Sequence, residues 1–306
     1  MNQTETMTRD AHQNRTDYYS LKLTARQFDK ISRLVYEVAG IDLHEGKEDL
    51  VKARLLKRLR HLNLSNFDQY FKYLQSDKSG KEIKSMVDIL TTNKTEFFRE
   101  PEHLLFLRKN IVPLFGENPI RIWSAGCSSG EEPYSIAITL CESVPNIAKY
   151  DIKILATDIS ERMVEKAQRG EYPEEALKDM SAHLKHKYFH RAGPASNRHY
   201  RVNDEVRHLV KFAKLNLMDD WPMAGPFDVI FCRNVMIYFN KPTQEMLINR
   251  FWHLLKEEGY LLVGHSESLN FLSHDFLYIK PAVYQKIKLS HPPRKKSANA
   301  TERDDV

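Results

Sequence analysis

Several polar residues stand directly after apolar segments, which is where proteins built on a parallel sheet hold their ligands. The apolar run Ile120 to Ala125 leads into the segment 126–132, which contains two glycines and two glutamates. The next apolar run ends at Asp158, and two later runs end at Asn216-Leu217 and Arg233-Asn234. Glycine lets a loop approach a ligand closely, and an acidic residue ending the second strand is placed to accept hydrogen bonds from ribose hydroxyls.

Two ligands that contain a ribose fit this pattern to different degrees. A dinucleotide site requires Gly-x-Gly-x-x-Gly, whereas this loop offers only Gly126 and Gly130. Glu131 and Glu132 would also repel a pyrophosphate at the helix N-terminus. S-adenosylmethionine has no phosphate and carries a sulfonium cation and an amino group, which nearby carboxylates attract. Glu132 suits the cationic end of this molecule and Asp158 suits its ribose, so S-adenosylmethionine is the better fit.

Two other interpretations of these residues stay open. The segment 126–130 matches Gly-x-Ser-x-Gly between a strand and a helix, so an α/β-hydrolase would use Ser128 as nucleophile and His265 as base. The sequence has no upstream oxyanion-type glycine loop, and its first hundred residues are helical rather than strands, which counts against a hydrolase. Glu131, Glu132 and Asp158 also suit plain helix caps, because acidic residues favour the first turn of a helix.

The spacing of apolar residues predicts that the chain has an all-helical part followed by a part with both strands and helices. A helix runs from Thr24, a predicted N-cap, to Gly40, a predicted stop, and three more follow near 47–62, 66–76 and 81–90. After about residue 118 strands and helices alternate, which indicates a mostly parallel sheet covered on both faces. The predicted strands are 120–125, 152–157, 210–215, 227–232 and 260–264, and the predicted helices between them are 133–142, 160–169 and 243–255.

The whole chain is therefore predicted to contain two domains and two tails. We expect a disordered tail over 1–17, an all-helical domain over 18–90, an α/β domain over 91–288 and a flexible tail over 289–306. Two short strands around a segment rich in turn formers predict a small antiparallel β-subdomain at about 188–203.

Composition excludes several classes of protein. No run of eighteen apolar residues occurs, and the N-terminus lacks the apolar core of a signal peptide, so a cytosolic protein without membrane insertion is expected. The three cysteines, Cys127, Cys141 and Cys232, lack metal-type spacing, so no metal site is predicted. The net charge of +5 is small for 306 residues and does not argue for a nucleic-acid partner.

Four segments resemble the CheR-type chemotaxis protein methyltransferases, in order and with similar spacing. They are Thr91–Glu100, Trp123–Ser135, Phe231–Phe239 and Gly264–Glu267. The resemblance extends from about Leu21 to Lys286. It implies an α/β fold, a Rossmann-like methyltransferase sheet with a small antiparallel β-subdomain, preceded by an all-α N-terminal domain.

The resemblance also implies an activity, a cofactor and site residues. The expected activity is transfer of a methyl group from S-adenosylmethionine to glutamate side chains on the cytoplasmic helices of methyl-accepting chemotaxis receptors, carried out by a monomer and yielding S-adenosylhomocysteine. A non-catalytic module that binds the cofactor or a receptor is the alternative, and the full set of site residue types argues against it. The implied cofactor contacts are Asn93, Thr95, Arg99, Glu132, Asp158, Asn216, Leu217, Arg233 and Asn234.

Arg99 and Tyr238 are the candidate catalytic residues. A glutamate side chain has a pKa of about 4.3 and is already ionised near pH 7, so the reaction requires orientation more than a general base. Arg99 offers a planar two-pronged donor to a carboxylate. Tyr238 is suited to orient the acceptor or to line the sulfonium with its ring. A surface ion pair for Arg99 and a core position for Tyr238 are the plain alternatives.

The second predicted helix carries a cluster of positive charge that is a candidate receptor-docking face. Acidic receptor helices would be steered towards such a face. An ordinary solvated helix face is the alternative. The candidate docking residues are Lys52, Arg54, Lys57, Arg58 and Arg60.

Overall fold

The computed structural model describes Tyr18 and residues 20–114, 116, 118–193 and 198–288. The predicted tails at 1–17 and 289–306 lie outside the described residues, as do positions 194–197 in the turn of the predicted β-subdomain. Within the described residues, no helix is both long and apolar enough to cross a membrane.

The N-terminal part of the chain folds into four helices around one apolar core. Their bounds are α1 Ala25–Ala39, α2 Glu48–His61, α3 Phe67–Ser76 and α4 Lys81–Leu90. Ile31, Val35, Leu55 and Leu59 are fully buried at this core, so the apolar stripes predicted for α1 and α2 face each other. The all-helical class predicted for this part is confirmed.

Thr24 and Gly40 begin and end α1 as the sequence predicts. Thr24 Oγ1 accepts a hydrogen bond from Gln27 N (3.3 Å) and Gln27 Oε1 accepts one from Thr24 N (3.0 Å), which is a capping box. Gly40 adopts φ 69°, and its N–H donates to Tyr36 O. A Cβ at Gly40 would lie 2.4 Å from Met218 Sδ, so glycine also lets α1 approach the second part of the chain closely.

A seven-stranded sheet forms the centre of the second part. Its strands, in chain order, are β1 Ile120–Ala125, β2 Ile152–Asp158, β6 Val210–Lys214, β7 Phe227–Cys232, β8 Leu255–Val263, β9 Leu277–Lys280 and β10 Val283–Gln285. The spatial order is β6-β2-β1-β7-β8-β10-β9; the first five strands are parallel, and β10 runs antiparallel to both of its neighbours, β8 and β9. The order reverses between β1 and β7, and a crevice at their carboxyl ends is therefore expected to hold the ligand.

Helices cover both faces of this sheet. Their bounds are α5 Pro101–Asn110, α6 Glu131–Ser143, α7 Glu161–Arg169, α8 Ala182–Tyr188, α9 Asp204–Arg207 and α10 Lys241–Leu254. One apolar core includes Leu107 and Ile136, and the other includes Trp123 and Phe251. Two cores on opposite faces account for the continuous burial of β7, since a strand covered on both sides reads as an unbroken apolar run.

The β-subdomain has three strands rather than the two that the sequence predicts. They are β3 Glu171–Pro173, β4 Phe189–Ala192 and β5 His199–Val202, in the antiparallel order β3-β5-β4. The strand β3 lies before the predicted range of 188–203. It was missed because three residues that include a proline carry no readable alternation.

The helical part and the sheet part meet around the end of α1 and the end of α4. Asn216 Nδ2 donates to Val38 O (2.7 Å), and Ile41 pairs with Phe239 in an isolated antiparallel bridge. Asp88, at the end of α4, accepts hydrogen bonds from Ser160 Oγ and from Arg162 Nε. These contacts bring the segment after α4 over the carboxyl ends of the central strands.

Candidate active site

The loop after β1 is held against the end of β2 by its backbone. Gly126 N and Cys127 N both donate to Thr157 O, at 2.8 and 2.9 Å. Gly130 adopts φ 98°, and a Cβ there would lie 2.8 Å from both Ala167 Cβ and Tyr172 Oη. The loop therefore requires glycine for close packing, as well as for its backbone conformation.

Asp158 lies at the point where this loop crosses the end of β2. Its Oδ2 accepts a hydrogen bond from Ser128 N (2.7 Å), and its Oδ1 accepts one from Ser160 N (2.9 Å). Burial raises the pKa of Asp158, and these two backbone donors oppose that shift. A carboxylate has about four lone-pair sites, and the backbone N–H of Ile159 contributes a third donor, so an acceptor position still remains for a ribose hydroxyl.

Glu132 belongs to a buried charge cluster at the ends of β1 and β7. Its Oε1 accepts from Ser124 Oγ (2.7 Å) and its Oε2 from Arg233 Nη1 (2.9 Å). Arg233 also pairs with Glu100 Oε2 at 3.2 Å. Two carboxylates and one guanidinium leave a formal charge of −1, which favours a cationic ligand beside the cluster.

Glu100 stays ionised in spite of its partial burial. Desolvation alone would raise its pKa, but the charge of Arg233 and the N–H of His265 hold the pKa below the usual value. Arg233 Nη2 donates to Arg99 O (2.6 Å), so the same guanidinium also fixes the backbone of the candidate catalytic residue. Arg233 is implied as a cofactor contact by the family resemblance, whereas Glu100 has no role predicted from the sequence.

The segment between α4 and α5 covers the loop after β1. Ser128 Oγ donates to Asn93 O (3.0 Å), and Phe98 N donates to Ser135 Oγ (2.9 Å). Arg99 Nη1 donates to Lys94 O (3.1 Å) within the same segment. These contacts place the segment that carries Asn93, Thr95 and Arg99 over the carboxyl ends of the strands.

The loop after β7 is organised by a buried carboxylate. Glu267 Oε2 accepts from Asn234 N (2.8 Å) and Gly264 N (2.5 Å), and its Oε1 accepts from Ile237 N (3.1 Å). Burial raises the pKa of Glu267, and these N–H donors oppose the shift. The loop leads into Tyr238, whose hydroxyl donates to Thr92 O (3.3 Å). The sequence shows Glu267 only as the last residue of the family segment Gly264–Glu267. Its role was not predicted, because its partners are backbone N–H groups.

One pocket brings all of the predicted catalytic and cofactor-binding residues together. It lies at the carboxyl ends of β1, β2, β6 and β7, where the reversal of strand order predicts it. Its lining includes Asn93, Thr95, Arg99, Glu132, Asp158, Asn216, Leu217, Arg233, Asn234 and Tyr238. The net negative cluster at Glu132 and the acceptor capacity of Asp158 fit a ligand with one cationic end and a ribose.

The hydrolase interpretation is not supported by the geometry. Ser128 Oγ donates to Asn93 O, and the backbone N–H of His265 donates to Glu100 Oε1 (3.3 Å). The His265 ring packs edge-on against that of His103, 5.1 Å between centroids. Ser128 is thus bound to a carbonyl rather than activated by a base.

Potential ligand atoms of Glu100, His103 and His265 lie within 4.8 Å of one another. The carboxylate of Glu100 is already engaged by Arg233 at 3.2 Å and by the backbone N–H of His265 at 3.3 Å. Burial, followed by the charge of Arg233, lowers the pKa of His103 to about 3, so its ring is neutral at pH 7. We therefore interpret Glu100 and the buried His103 as part of the packing behind the pocket, with the exposed His265 at its edge.

The five basic residues of α2 fall into two groups. Arg58 forms a two-pronged ion pair with Glu82 (Nε–Oε1 2.7 Å, Nη2–Oε2 2.5 Å), and the Glu82 side chain is only 2% exposed. Arg54 donates to Leu90 O and to Thr92 Oγ1. These two guanidinium groups are bound to groups of the protein core and of the segment after α4. Lys57 and Arg60 are exposed, with Arg60 placed over the Tyr18 ring at 5.4 Å, and together with Lys52 they remain candidates for docking.

Fold and site together define an S-adenosylmethionine-dependent methyltransferase, and comparison with known proteins identifies the family. Residues 93–284 match the family described as "CheR methyltransferase, SAM binding domain", and residues 26–91 match "CheR methyltransferase, all-alpha domain". The chain belongs to the CheR methyltransferase family, and its cofactor is S-adenosylmethionine. The predictions of family, fold class and cofactor are thus confirmed.

Curated relatives cover most of the chain. A probable chemotaxis protein methyltransferase of Rhizobium etli is 43% identical over 242 residues, which are 78% of this chain and 90% of the relative. The chemotaxis protein methyltransferase of Borreliella burgdorferi is 39% identical, over 87% of this chain and 96% of the relative. The protein of the same name from Escherichia coli is 42% identical, over 86% and 92%.

Proposed function

We propose that this protein transfers the methyl group of S-adenosylmethionine to glutamate side chains on the cytoplasmic helices of methyl-accepting chemotaxis receptors. The observation that carries this proposal is one pocket in which carboxylates suited to a cationic cofactor lie beside Arg99 and Tyr238, groups suited to an anionic acceptor. The proposal includes a monomer that acts in the cytosol, with a helical domain over 18–90 and a methyltransferase domain over 91–288.

Residues from four strand ends would hold the cofactor. Glu132 would attract the amino and sulfonium end, since the cluster around it keeps one net negative charge. Asp158 would accept a hydrogen bond from the ribose at its remaining acceptor position. Asn93, Asn216 and Asn234 would complete the polar contacts, and the cofactor supplies a methyl group bound to a cationic sulfur.

Arg99 would orient the acceptor carboxylate. Its backbone oxygen is held by Arg233 and its Nη1 by Lys94 O, so the side chain starts from a fixed position. A guanidinium has five N–H donors, which leaves others for the acceptor. The carboxylate loses charge as the new bond forms, so a very tight grip on it would slow transfer, and alignment is the main contribution.

Tyr238 would close the other side of the acceptor position. Its ring lines the pocket, and its hydroxyl is tied to Thr92 O in the segment that also carries Asn93 and Arg99. An aromatic face beside a sulfonium is favourable because the ring quadrupole attracts a cation. Tyr238 thus links the two loops that enclose the reaction.

The test is incubation with methyl-labelled S-adenosylmethionine and a cytoplasmic receptor fragment. We expect label on the fragment that mild base releases as methanol, and no label when the acceptor glutamates are replaced by alanine. Label that resists base would contradict ester formation. Binding of S-adenosylhomocysteine in calorimetry without any transfer would instead support a non-catalytic binding module.

A further inference from the structure

Three apolar side chains are exposed around the beginning of α10. Phe271 is 82% exposed, Ile237 is 48% exposed and Tyr36 is 41% exposed. They come from the loop after β8, the turn after β7 and the end of α1. With Lys241 they form what we call the rim surface.

Contacts through α10 place these residues beside one another. Asn240 Nδ2 donates to Tyr36 Oη (3.0 Å), and Lys241 Nζ lies 5.9 Å from the centre of the Phe271 ring. Gln244 Nε2 donates to Met236 O (2.9 Å), which holds the turn carrying Ile237 against the first turns of α10. The rim surface is therefore built on a fixed helix rather than on separate loops.

The rim surface reaches the candidate active site at Ile237. In the short 3-10 turn Met236–Tyr238, the first residue is buried, Ile237 points to solvent and Tyr238 lines the pocket. The loop that carries Phe271 follows β8, at the same edge of the sheet as the pocket. A molecule that presents a side chain to Tyr238 would thus cover Ile237.

We propose that the rim surface is a docking site for the acceptor helix, contacting its apolar residues next to the methylated glutamate. An amphipathic helix presents such residues one turn apart, at i, i+3 and i+4. Lys241, which is exposed beside Phe271, offers a positive charge to a helix that carries glutamates, while the nearby Glu245 is bound to Ser273 N (3.0 Å) in the loop of Phe271.

A helix fits the rim surface better than a second copy of this chain does. A stable dimer commonly buries about 800 Å² on each partner, some 20 to 30 residues. The rim surface has only three apolar residues and one lysine. A few residues of this kind can supply most of the binding energy for a single docked helix. This docking role rests on the proposed function, because the acceptor is the occupant.

Steady-state transfer to a receptor fragment tests the docking role. We expect Phe271→Ser with Lys241→Ser to raise the KM for the fragment about tenfold while kcat changes less than about twofold. Phe271→Glu should raise KM more than Phe271→Ser, since it adds repulsion from an acidic helix. Leu114→Ser is the matched control, because Leu114 is 59% exposed and precedes the amino end of β1.

The outcomes separate the docking role from the proposed function. If the unchanged protein forms no base-labile ester, the proposed function fails. If it does, but the double variant keeps its KM, the rim surface is not the docking site. Sedimentation that shows a dimer of the unchanged protein and a monomer of the double variant would assign the surface to self-association and overturn the inference. Affinity for S-adenosylhomocysteine should stay constant in every variant.

Discussion

The candidate active site and the basic face of α2 were both predicted from residue types. They differ in whether the predicted residues lie together in the structure and are available to a ligand or partner. All ten residues predicted for the active site line one pocket. Of the five predicted on α2, Arg54 and Arg58 are bound within the protein. The topology of a parallel sheet dictates where strand ends meet, whereas the charge of a helix face does not say which groups will pair with it.

Arg54 illustrates what this difference means for function. It donates to Thr92 Oγ1, and Thr92 O accepts from the hydroxyl of Tyr238. A residue predicted to touch a partner thus supports the segment that encloses the pocket. Part of the positive charge on α2 is therefore structural, and the steering prediction applies only to the exposed part.

The largest effect that we expect comes from substitution of Arg99 in the candidate active site. Arg99→Ala should lower kcat by about 100-fold or more, because the aligned donors to the acceptor are lost. Arg99→Lys should recover little, since an ammonium lacks the planar fork. Initial rates with labelled cofactor measure the loss, and circular dichroism checks that the fold is kept. Near-normal turnover of Arg99→Ala would remove this residue from the proposed mechanism.

Arg58→Ala should show that part of the basic face is structural. The change leaves Glu82 buried, with Tyr70 Oη as its remaining side-chain donor at 2.8 Å. We expect a loss of about 2–3 kcal/mol in the free energy of unfolding, because a buried carboxylate loses its charge partner. Lys57→Ala, on the exposed part of α2, is the matched control and should change stability by less than about 0.5 kcal/mol.

Urea unfolding of both variants decides this point. A loss below about 0.5 kcal/mol for Arg58→Ala would mean that the ion pair is worth no more than a surface contact. In that case Arg58 would return to the group of docking candidates, and the division of α2 into two groups would fail.

The elements predicted correctly from the sequence have long apolar patterns or clear polar residues at their ends. The bounds predicted for β1 and β7 match the structure, because both strands are mostly apolar and end at polar loops. The strands β9 and β10 were missed, since they have only four and three residues, and β8 begins at Leu255 rather than at Tyr260. Periodicity needs more residues than these strands provide.

The candidate site was predicted as a set of residues but not as a network. Glu100 and Arg233 are 133 positions apart, and nothing local in either segment indicates that they pair. The role of Glu267 depends on backbone N–H groups of a distant loop. Residue types reveal what a site can bind, while the contacts that fix its geometry come from packing between segments.

The buried His103, which packs behind the pocket, should make the free energy of unfolding depend on pH. His103 has a pKa of about 3 in the folded protein, and burial is the main cause. The unfolded chain, with the usual value near 6.5, takes up the proton first, so stability is full above pH 6.5 and falls as the pH drops towards 3. Between pH 7 and pH 5 this group should reduce the free energy of unfolding by about 2 kcal/mol.

Comparison with two variants isolates the effect of His103 on folding. His103→Asn should flatten the dependence of stability on pH between 7 and 5. His44→Asn, which changes an exposed histidine on the helical part, should leave it unaltered. Equal slopes for the unchanged protein and His103→Asn would show that this histidine is not buried as a neutral group.

The smallest effect should come from the exposed charges of α2, and it concerns rate rather than stability. Lys57→Glu with Arg60→Glu should lower kcat/KM for an acidic receptor fragment by about three- to tenfold at low salt, because steering charges speed encounter. The difference from the unchanged protein should shrink as the ionic strength rises to about 0.15 M, where the screening length is about 8 Å. A deficit that salt does not reduce would indicate a contact at the docked position, and the absence of any deficit would leave α2 as a structural helix only.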